Sequence, residues 1–433
     1  MHEILIKGKR NNAWNVRKGR EKVKQMNWKI IAAAGSMLTI AGCSGGSGGD
    51  GASWEEEEWQ DIEEEAAGTT VELHMWGGDQ GTNEYIDEWV APRLEEQYDI
   101  TLNRNPIETE DALQNLYSEK EAGTEDGTMD IIWLNGENFR NAKENKLLYG
   151  SFADALPNVE NHIDMEADTN AYDFGTPVEG MEVPWGSVQF TFMYDTEKVD
   201  TPPDSIEELA AWVKDNPGEF TYPEATDFTG NAFLRHFIYN NVEAEEVIEQ
   251  GYDEEWIDEQ TGSMWKTLRE MEPDLWRDGK TYPSTLSQLD RLYRDGEVSM
   301  TMGYNEARAE SLIQDGTFPE TTDTFVFDNN SIGNTHYLSI PFNSTNVPGA
   351  MAAINYLVSP EAQLQKQAPS MWGDSTVLDL DTLSEKRRRE FIEQDRGESV
   401  LDTEVLNNAY QPEMDAGYVE WTEDRWENEI VQK

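Results

Sequence analysis

Residues 69–82, TTVELHMWGGDQGT, decide the fold, because they join a strand pattern to a glycine-rich turn and the start of a helix. Val71, Leu73 and Met75 occupy every second position, which is the period of a half-buried strand. From Asn83 onward the apolar residues recur at helical spacing, with Pro92 as a predicted kink. A strand that runs through a tight turn into a helix is the opening of a β-α-β unit.

The same alternation continues along the chain. Residues 100–107 predict a second strand, and residues 108–122 predict a helix that Gly123 ends. Residues 129–134, MDIIWL, form a short apolar run, typical of a strand covered on both faces. The turn at 135–138, NGEN, leads into another helix. This order predicts an α/β fold with a mostly parallel sheet and helices on both faces.

Two loops of this predicted sheet have the position and composition of a ligand site. In such sheets ligands bind beyond the carboxyl ends of the strands. Residues 76–82 and 135–138 lie there, and both contain glycine and polar groups that let a ligand approach a helix N-terminus. An ordinary tight turn is the alternative for either loop alone, and the presence of both favours binding.

The first 42 residues predict a signal peptide, with a basic stretch followed by an uncharged apolar run from Trp28 to Gly42. Translation starts at Met1 or Met26. The pair Ala41-Gly42 before Cys43 resembles a bacterial lipobox, in which the cysteine is acylated, as with palmitate. A buried core cysteine is the alternative. Residues 43–68 predict a flexible Gly/Ser-rich and acidic tether.

The net charge of the chain restricts the classes of molecule that it can bind. The chain carries a net charge of −54, and from Cys43 onward it has 24 basic and 85 acidic residues. Such a field repels nucleic acid and anionic lipid, so we expect membrane contact through the lipid anchor only. The acidity either attracts cationic ligands or keeps an exported protein soluble in concentrated salt. With one cysteine, no internal disulfide is possible, and we predict no metal, no cofactor and no catalytic residue.

Three segments resemble the solute-binding proteins of ABC importers, in particular the YnjB-type branch: residues 75–83, 130–150 and 174–195. The resemblance implies a type II periplasmic-binding-protein fold, with two α/β lobes joined by crossing strands. It also implies a monomer, exported and lipid-anchored outside the cell membrane or periplasmic, that is not an enzyme. Such a protein holds a small solute between its lobes and hands it to a membrane permease. A secreted glycoside hydrolase using two carboxylates, or another surface lipoprotein, is the alternative.

The resemblance also sets the expected domain bounds. Lobe I would comprise residues 69–184 with a return segment at 332–433, and lobe II would comprise residues 185–331. The lobe to which the C-terminal helices belong stays open. Residues 183–194 would be the first crossing and residues 337–342 the return. Residues 297–305 would be a second-lobe strand that presents a loop to the solute. Residues 347–357 would form a helix with Pro348 in its first turn, where a missing N–H costs little.

The predicted solute contacts are aromatic, amide, acidic and glycine residues at strand ends. They are Trp76, Gly77, Gly78, Asp79, Asn135, Gly136, Glu137, Trp185, Gln189, Tyr282, Tyr304, Asn305 and His336. Trp133 is assigned to the core, because it lies inside an apolar strand. Helix capping is the alternative role of Glu137, and a structural role is the alternative for His336.

The composition of this set indicates the solute class. Arg140 is the only guanidinium expected nearby, so small dianions are disfavoured. A neutral or cationic organic solute fits better, because a cation over aromatic rings gains about 0.5–2 kcal/mol. We expect a thiamine-like or other amine-bearing compound, with an oligosaccharide stacked on tryptophan as the alternative.

Overall fold

The structure, a computed structural model, describes residues 59–432. The predicted signal peptide, Cys43 and residues 43–58 of the predicted tether lie outside the described residues. For the rest of the predicted flexible tether the expectation is wrong, because Trp59–Ala66 form a helix whose Ile62 and Ala66 are buried in a hydrophobic core. Among the helices that are described, none combines the length and apolar character needed to cross a membrane.

The first half of the described chain alternates strands and helices in the predicted order. Its elements are α1 (Trp59–Ala66), β1 (Thr70–Met75), α2 (Gln80–Glu84), a π-helical stretch (Tyr85–Val90), α3 (Ala91–Tyr98), β2 (Thr101–Pro106), α4 (Thr109–Ala122), β3 (Ile131–Leu134), α5 (Glu137–Glu144), a 3₁₀ turn (Ala153–Ala155), α6 (Pro157–His162), α7 (Asp168–Ala171), β4 (Tyr172–Asp173), β5 (Thr176–Pro177) and β6 (Glu182–Gln189).

The middle of the chain is mostly helical. Its elements are β7 (Thr191–Asp195), α8 (Ile206–Asp215), α9 (Phe228–Tyr239), α10 (Ala244–Gln250), α11 (Glu254–Gln260), α12 (Gly262–Met271), 3₁₀ turns (Glu272–Asp274 and Trp276–Gly279), α13 (Leu286–Arg294), β8 (Met300–Gly303), α14 (Arg308–Gln314) and β9 (Thr322–Phe325).

The last part of the described chain begins with a long strand and then continues mostly as helices. Its elements are β10 (Ser331–Ser339), α15 (Val347–Leu357), α16 (Pro360–Lys366), a 3₁₀ turn (Leu380–Thr382), α17 (Glu385–Ile392), α18 (Thr403–Ala409), β11 (Tyr410–Gln411), α19 (Gly417–Trp426) and a final π-helical stretch (Glu427–Val431).

Local sequence signals explain several of these boundaries. Gly123 ends α4 in the left-handed conformation, with φ of 68°, which glycine adopts without a Cβ clash. The predicted kink at Pro92 coincides with the junction between the π-helical stretch and α3, where proline occupies the first turn. Helix α15 begins and ends where predicted, with Pro348 in its first turn and Asn346 as its N-cap.

Two sheets organise the fold. The first has the order β11-β10-β3-β1-β2, and β6 also pairs with β10. Strand β1 is parallel to β2 and β3, which confirms the predicted β-α-β units. Strand β10 is antiparallel to β3 and β6, so the returning chain runs opposite to the parallel strands of this sheet. The second sheet is β8-β7-β9, with both pairs antiparallel.

Each sheet has its own hydrophobic core. Val71, Leu73 and Ile131 of the first sheet pack with Ile354 of α15 in the first core. A smaller adjoining cluster includes Leu113 and Phe139. Phe192, Met300 and Met302 of the second sheet pack with Phe233 and Phe237 of α9 in the second core.

The predicted crossing is confirmed in detail. Strand β6 pairs with β10 in the first sheet, and β7 pairs with β8 and β9 in the second, with only Phe190 between them. The chain returns between β9 and β10. It passes once more near the end, since Phe391 packs in the first core and Met414 in the second. Helix α19, whose lobe the sequence left open, packs against α9 in the second core.

Candidate functional site

The loop after β1 is held in place by its own side chains. Asp79 caps α2, because its Oδ1 accepts from the backbone N of Thr82 at 2.8 Å and from the Thr82 hydroxyl at 2.9 Å. Asn83 donates to the carbonyl of Gly77 at 3.0 Å. The ring of Trp76 lies over Gly78, within 2.2 Å of where a Cβ would stand, so a larger residue at 78 would displace that ring. The loop therefore presents Trp76, half-buried, on a fixed backbone.

The loop after β3 is anchored from two directions. Asn135 donates to the side-chain oxygen of Asn334 on β10 at 3.0 Å. The backbone N of Gly136 donates to both carboxylate oxygens of Asp173, at 2.8 and 2.7 Å. Gly136 has φ of 64°, a conformation that favours glycine. Glu137 follows in the first turn of α5, where a carboxylate is favoured by the helix dipole.

Four aromatic residues and His336 form one packed cluster behind these loops. Ring centroids lie 6.5 Å apart for Trp76 and Trp133, 5.4 Å for Trp133 and Trp185, and 4.8 Å for Trp185 and Trp372. The His336 ring stacks on Trp372 at 5.4 Å. Trp185 is 0 % exposed, which corrects the expectation that its ring protrudes into a cleft. Trp133, assigned to the core from sequence, is only partly buried.

His336 belongs to a buried charge network. Its Nε2 lies 3.2 Å from Asp374 Oδ2, and Lys366 Nζ lies 2.5 Å from the same oxygen. Lys366 and Asp374 are both fully buried. Burial alone would raise the pKa of Asp374, but Lys366 and His336 beside it bring that pKa below its ordinary value. His336 thus has a buried carboxylate partner, and its contact with a solute stays a prediction.

Three of the remaining predicted contacts are engaged in hydrogen bonds, and a fourth packs on aromatic rings. The Tyr304 hydroxyl donates to Glu413 at 2.6 Å. Asn305, with φ of 79°, donates to the carbonyl of Trp372 at 3.0 Å and so links the turn after β8 to the first lobe. Gln189 donates to the carbonyl of Leu406 at 2.9 Å. Tyr282 packs on Tyr222 at 5.0 Å and on Trp426 at 5.2 Å.

Most of the carboxylates around Glu137 were not predicted from the sequence. Glu137 on α5 interacts electrostatically with Glu420 and Glu423 on α19. Glu108, before α4, interacts in the same way with Asp227, the N-cap of α9. Carboxylates from the two lobes therefore face each other. Glu137 was predicted from the sequence, but acids are so abundant in this chain that no pattern marks Glu108, Asp227, Glu420 or Glu423.

Burial and the neighbouring negative charges raise the pKa of several of these facing carboxylates. Burial, followed by Glu137 and Glu110, raises the pKa of Glu423 to about 7. Burial and then Glu420 raise the pKa of Glu137. Burial and then the neighbouring acids Glu110 and Asp111 raise the pKa of Glu108. Each shift means that a further negative charge at this place is unfavourable.

Two guanidinium groups correct the expectation that Arg140 stands alone. Arg235 on α9 is ion-paired with Glu413, and Arg308 on α14 lies 2.7 Å from Asp290. Arg140 itself is ion-paired with Glu420 across the lobes. Since each of these three groups has its own carboxylate partner, they do not form a free anion clamp.

An exposed aromatic ring adjoins the same region. Phe228, in the first turn of α9, is 45 % exposed. Its ring lies 5.3 Å from that of Tyr304 and 6.4 Å from that of Phe174, which belongs to the β4–β5 hairpin. The candidate site thus combines partly exposed aromatic rings with carboxylates.

The geometry of the described residues also bears on metal binding and on other cavities. Within residues 59–432 no group of three or more His, Cys, Asp or Glu side chains is arranged to hold a metal ion. A surface depression of about 360 Å³, lined in part by Tyr98, His162, Tyr356 and Arg387, shares no residue with the predicted solute contacts.

Two α/β lobes, repeated chain crossings and strand-end loops that face a second lobe define a type II periplasmic-binding-protein fold. Solved structures show the same fold. The spermidine/putrescine ABC transporter substrate-binding protein PotD of Streptococcus pneumoniae matches with a TM-score of 0.57 and 16% identity, over 84% of this chain and 99% of that chain. The TpPotD lipoprotein of Treponema pallidum matches with a TM-score of 0.58 and 14% identity, over 84% of this chain and 100% of that chain.

The chain belongs to the bacterial extracellular solute-binding protein family, whose family model matches residues 89–377. It is also 35% identical over 333 residues to protein YnjB of Escherichia coli (strain K12), which covers 76% of this chain and 85% of that protein. The predicted class is therefore confirmed: this is a solute-binding protein of the ABC-transporter type, not an enzyme, and it belongs to an extracellular family.

Proposed function

We propose that this protein captures a small organic cation between its two lobes and delivers it to an ABC permease. The observation that carries the proposal is the pair of facing acidic walls, with Glu108 and Glu137 on the first lobe and Asp227, Glu420 and Glu423 on the second. The solute-binding class follows from the family, and the charge of the solute follows from these walls.

Electrostatics explain how such a solute would close the lobes. Like charges that approach across a cleft repel each other, and the raised pKa of Glu423 records part of that cost. A cation placed between the walls replaces repulsion by attraction on both sides. Its binding therefore favours the closed arrangement, because the cation interacts better with two walls than with one.

The aromatic residues support an organic cation rather than a metal ion. The rings of Phe228 and Tyr304 pack on each other next to Asp227, and Trp76 lies half-buried in the loop after β1. A cation over such rings gains about 0.5–2 kcal/mol, and the facing carboxylates add to this. We therefore infer an amine-bearing or thiamine-like solute. Polyamines are the solutes named for the S. pneumoniae structural relative, which shares the fold.

We also propose that Cys43 carries the lipid anchor. The basic and apolar segments before it and the residues Ala41-Gly42 support this assignment. The protein would act as a monomer, tethered through residues 43–58 outside the cell membrane. Lobe I would run from residue 59 to about 189 and lobe II from about 191 to 330, with α19 added to lobe II.

Titration calorimetry with thiamine, spermidine, glycine betaine and a maltodextrin tests the proposal. We expect saturable one-to-one binding of an amine and none of the maltodextrin. Glu137→Gln should weaken that binding, whereas Glu144→Gln, at the exposed end of the same helix, should not. Binding of the maltodextrin alone, or equal affinities for both variants, would contradict a cationic solute at this cleft.

A further inference from the structure

The β4–β5 hairpin carries a turn, Asp173-Phe174-Gly175, that holds the loop after β3. Asp173 is 2 % exposed, and its carboxylate accepts from the backbone N of Gly136 through both oxygens. A Cβ on Gly136 would stand 3.3 Å from the ring of Phe174. The position of the predicted solute loop thus depends on both side chains of this turn.

Phe174 has an unusual backbone conformation. Its φ is 43°, in the left-handed region that residues other than glycine rarely adopt. Such a conformation costs free energy and persists only where surrounding contacts fix it. Its side chain is 3 % exposed, so those contacts surround the ring.

Several of these contacts come from the second lobe. The guanidinium carbon of Arg235 lies 5.2 Å from the centroid of the Phe174 ring, a cation–π contact. The ring of Phe228 lies 6.4 Å away on the same helix, α9. The backbone N of Ala416, just before α19, donates to the carbonyl of Phe174 at 3.1 Å.

We infer that Phe174 is a positioning residue that couples lobe closure to the solute loop at 135–137. When the lobes are closed, Arg235, Phe228 and Ala416 hold Phe174 in its strained conformation. This fixes Asp173, and Asp173 fixes the backbone N–H of Gly136 at the start of α5. When the lobes separate, the turn loses these partners and the loop loosens. The inference rests on the proposed function only in assigning solute contact to that loop.

Hydrogen exchange of the full chain, measured by mass spectrometry without solute, tests the coupling. Phe174→Leu removes the aromatic face but keeps an apolar side chain. We expect amides in residues 136–144 to exchange about two- to thirtyfold faster, the range that corresponds to loss of one cation–π contact. Tyr172→Leu, at a 50 % exposed position of the same hairpin, is the matched control and should leave these amides unchanged.

Phe228→Leu supplies a second test, from the other lobe and at an exposed position, should Phe174→Leu not fold. The coupling predicts faster exchange in residues 136–144 here also, although Phe228 is not part of that lobe. A purely structural role would confine the change to α9 and its neighbours. Unchanged exchange in residues 136–144 for both variants would overturn the inference. If exchange responds but thiamine and spermidine do not bind, the coupling stands and the proposed solute class fails.

Discussion

Replacing Glu182 by glutamine is expected to stabilise the protein relative to the natural chain as the pH rises. Glu182 lies on β6 with 0 % exposure, and neither of its carboxyl oxygens has a hydrogen-bond partner among the described residues. Burial, followed by the negative charge of Asp173, raises its pKa well above 4.5 and outweighs the opposing effect of Lys143. Burial in the folded protein therefore favours the neutral acid over the carboxylate.

The direction of this pH effect follows from comparing the protonation of Glu182 in the folded and the unfolded chain. In the unfolded chain Glu182 ionises near its ordinary pKa, so between that value and the raised native value only the folded state keeps the proton. Over this range the folded chain loses up to about 1.4 kcal/mol of stability for each pH unit of increase. The stabilising effect is complete below pH 4.5 and is lost as the pH rises to the native pKa. Glutamine carries no proton to lose.

Urea denaturation at pH 5.5, 6.5 and 7.5 measures this difference. We expect the free energy of unfolding of Glu182→Gln, minus that of the natural chain, to increase with pH by up to about 1.4 kcal/mol per unit. Glu179→Gln is the matched control, since the Glu179 side chain is 60 % exposed nearby, and its difference should not depend on pH in this way. A difference for Glu182→Gln that is constant over this range would refute the reasoning, because Glu182 would then not carry a proton in the folded state.

Three further outcomes are expected. Lys366→Met should lower the free energy of unfolding by about 3–5 kcal/mol in urea denaturation, since it leaves the buried Asp374 without its lysine. Combining Lys366→Met with Asp374→Asn should recover part of the lost stability. Equal stability of Lys366→Met and the natural chain would contradict this expectation. Amine binding at pH 7 should release protons, because a nearby cation lowers the pKa of Glu423 from about 7, and the affinity for the amine should fall as the pH decreases below 7. Calorimetry in buffers of different ionisation enthalpy detects the released protons. Binding without proton release would argue against contact between the amine and Glu423. Cys43→Ser should release the protein from membranes, and a variant that stays membrane-bound would show that Cys43 is not the anchor.

Much of the fold could be predicted because its signals are local. The alternation of Val71, Leu73 and Met75, the end of a helix at Gly123 and the proline in the first turn of α15 each act within a few residues. The crossing through residues 183–194 was also predicted, from its resemblance to a family. The π-helical stretch at Tyr85–Val90 was not, because its apolar spacing resembles that of an α-helix.

The site was less predictable because its contacts join distant parts of the chain. Arg235 meets Glu413, and Glu137 faces Glu423, through the packing of α19 on the second lobe. Trp185 borders a glycine, which suggested an exposed ring. The rings of Trp133 and Trp372 enclose it in the structure. No local pattern carries such information, since it depends on which distant elements meet.

A crystal structure of the protein with the amine that binds most tightly in calorimetry tests the central claim most directly. We expect a single solute between the lobes, with a positively charged nitrogen within hydrogen-bonding distance of Glu137 or Glu423 and next to the ring of Phe228. A solute bound outside the cleft, or one whose positive charge lies away from both acidic walls, would contradict it.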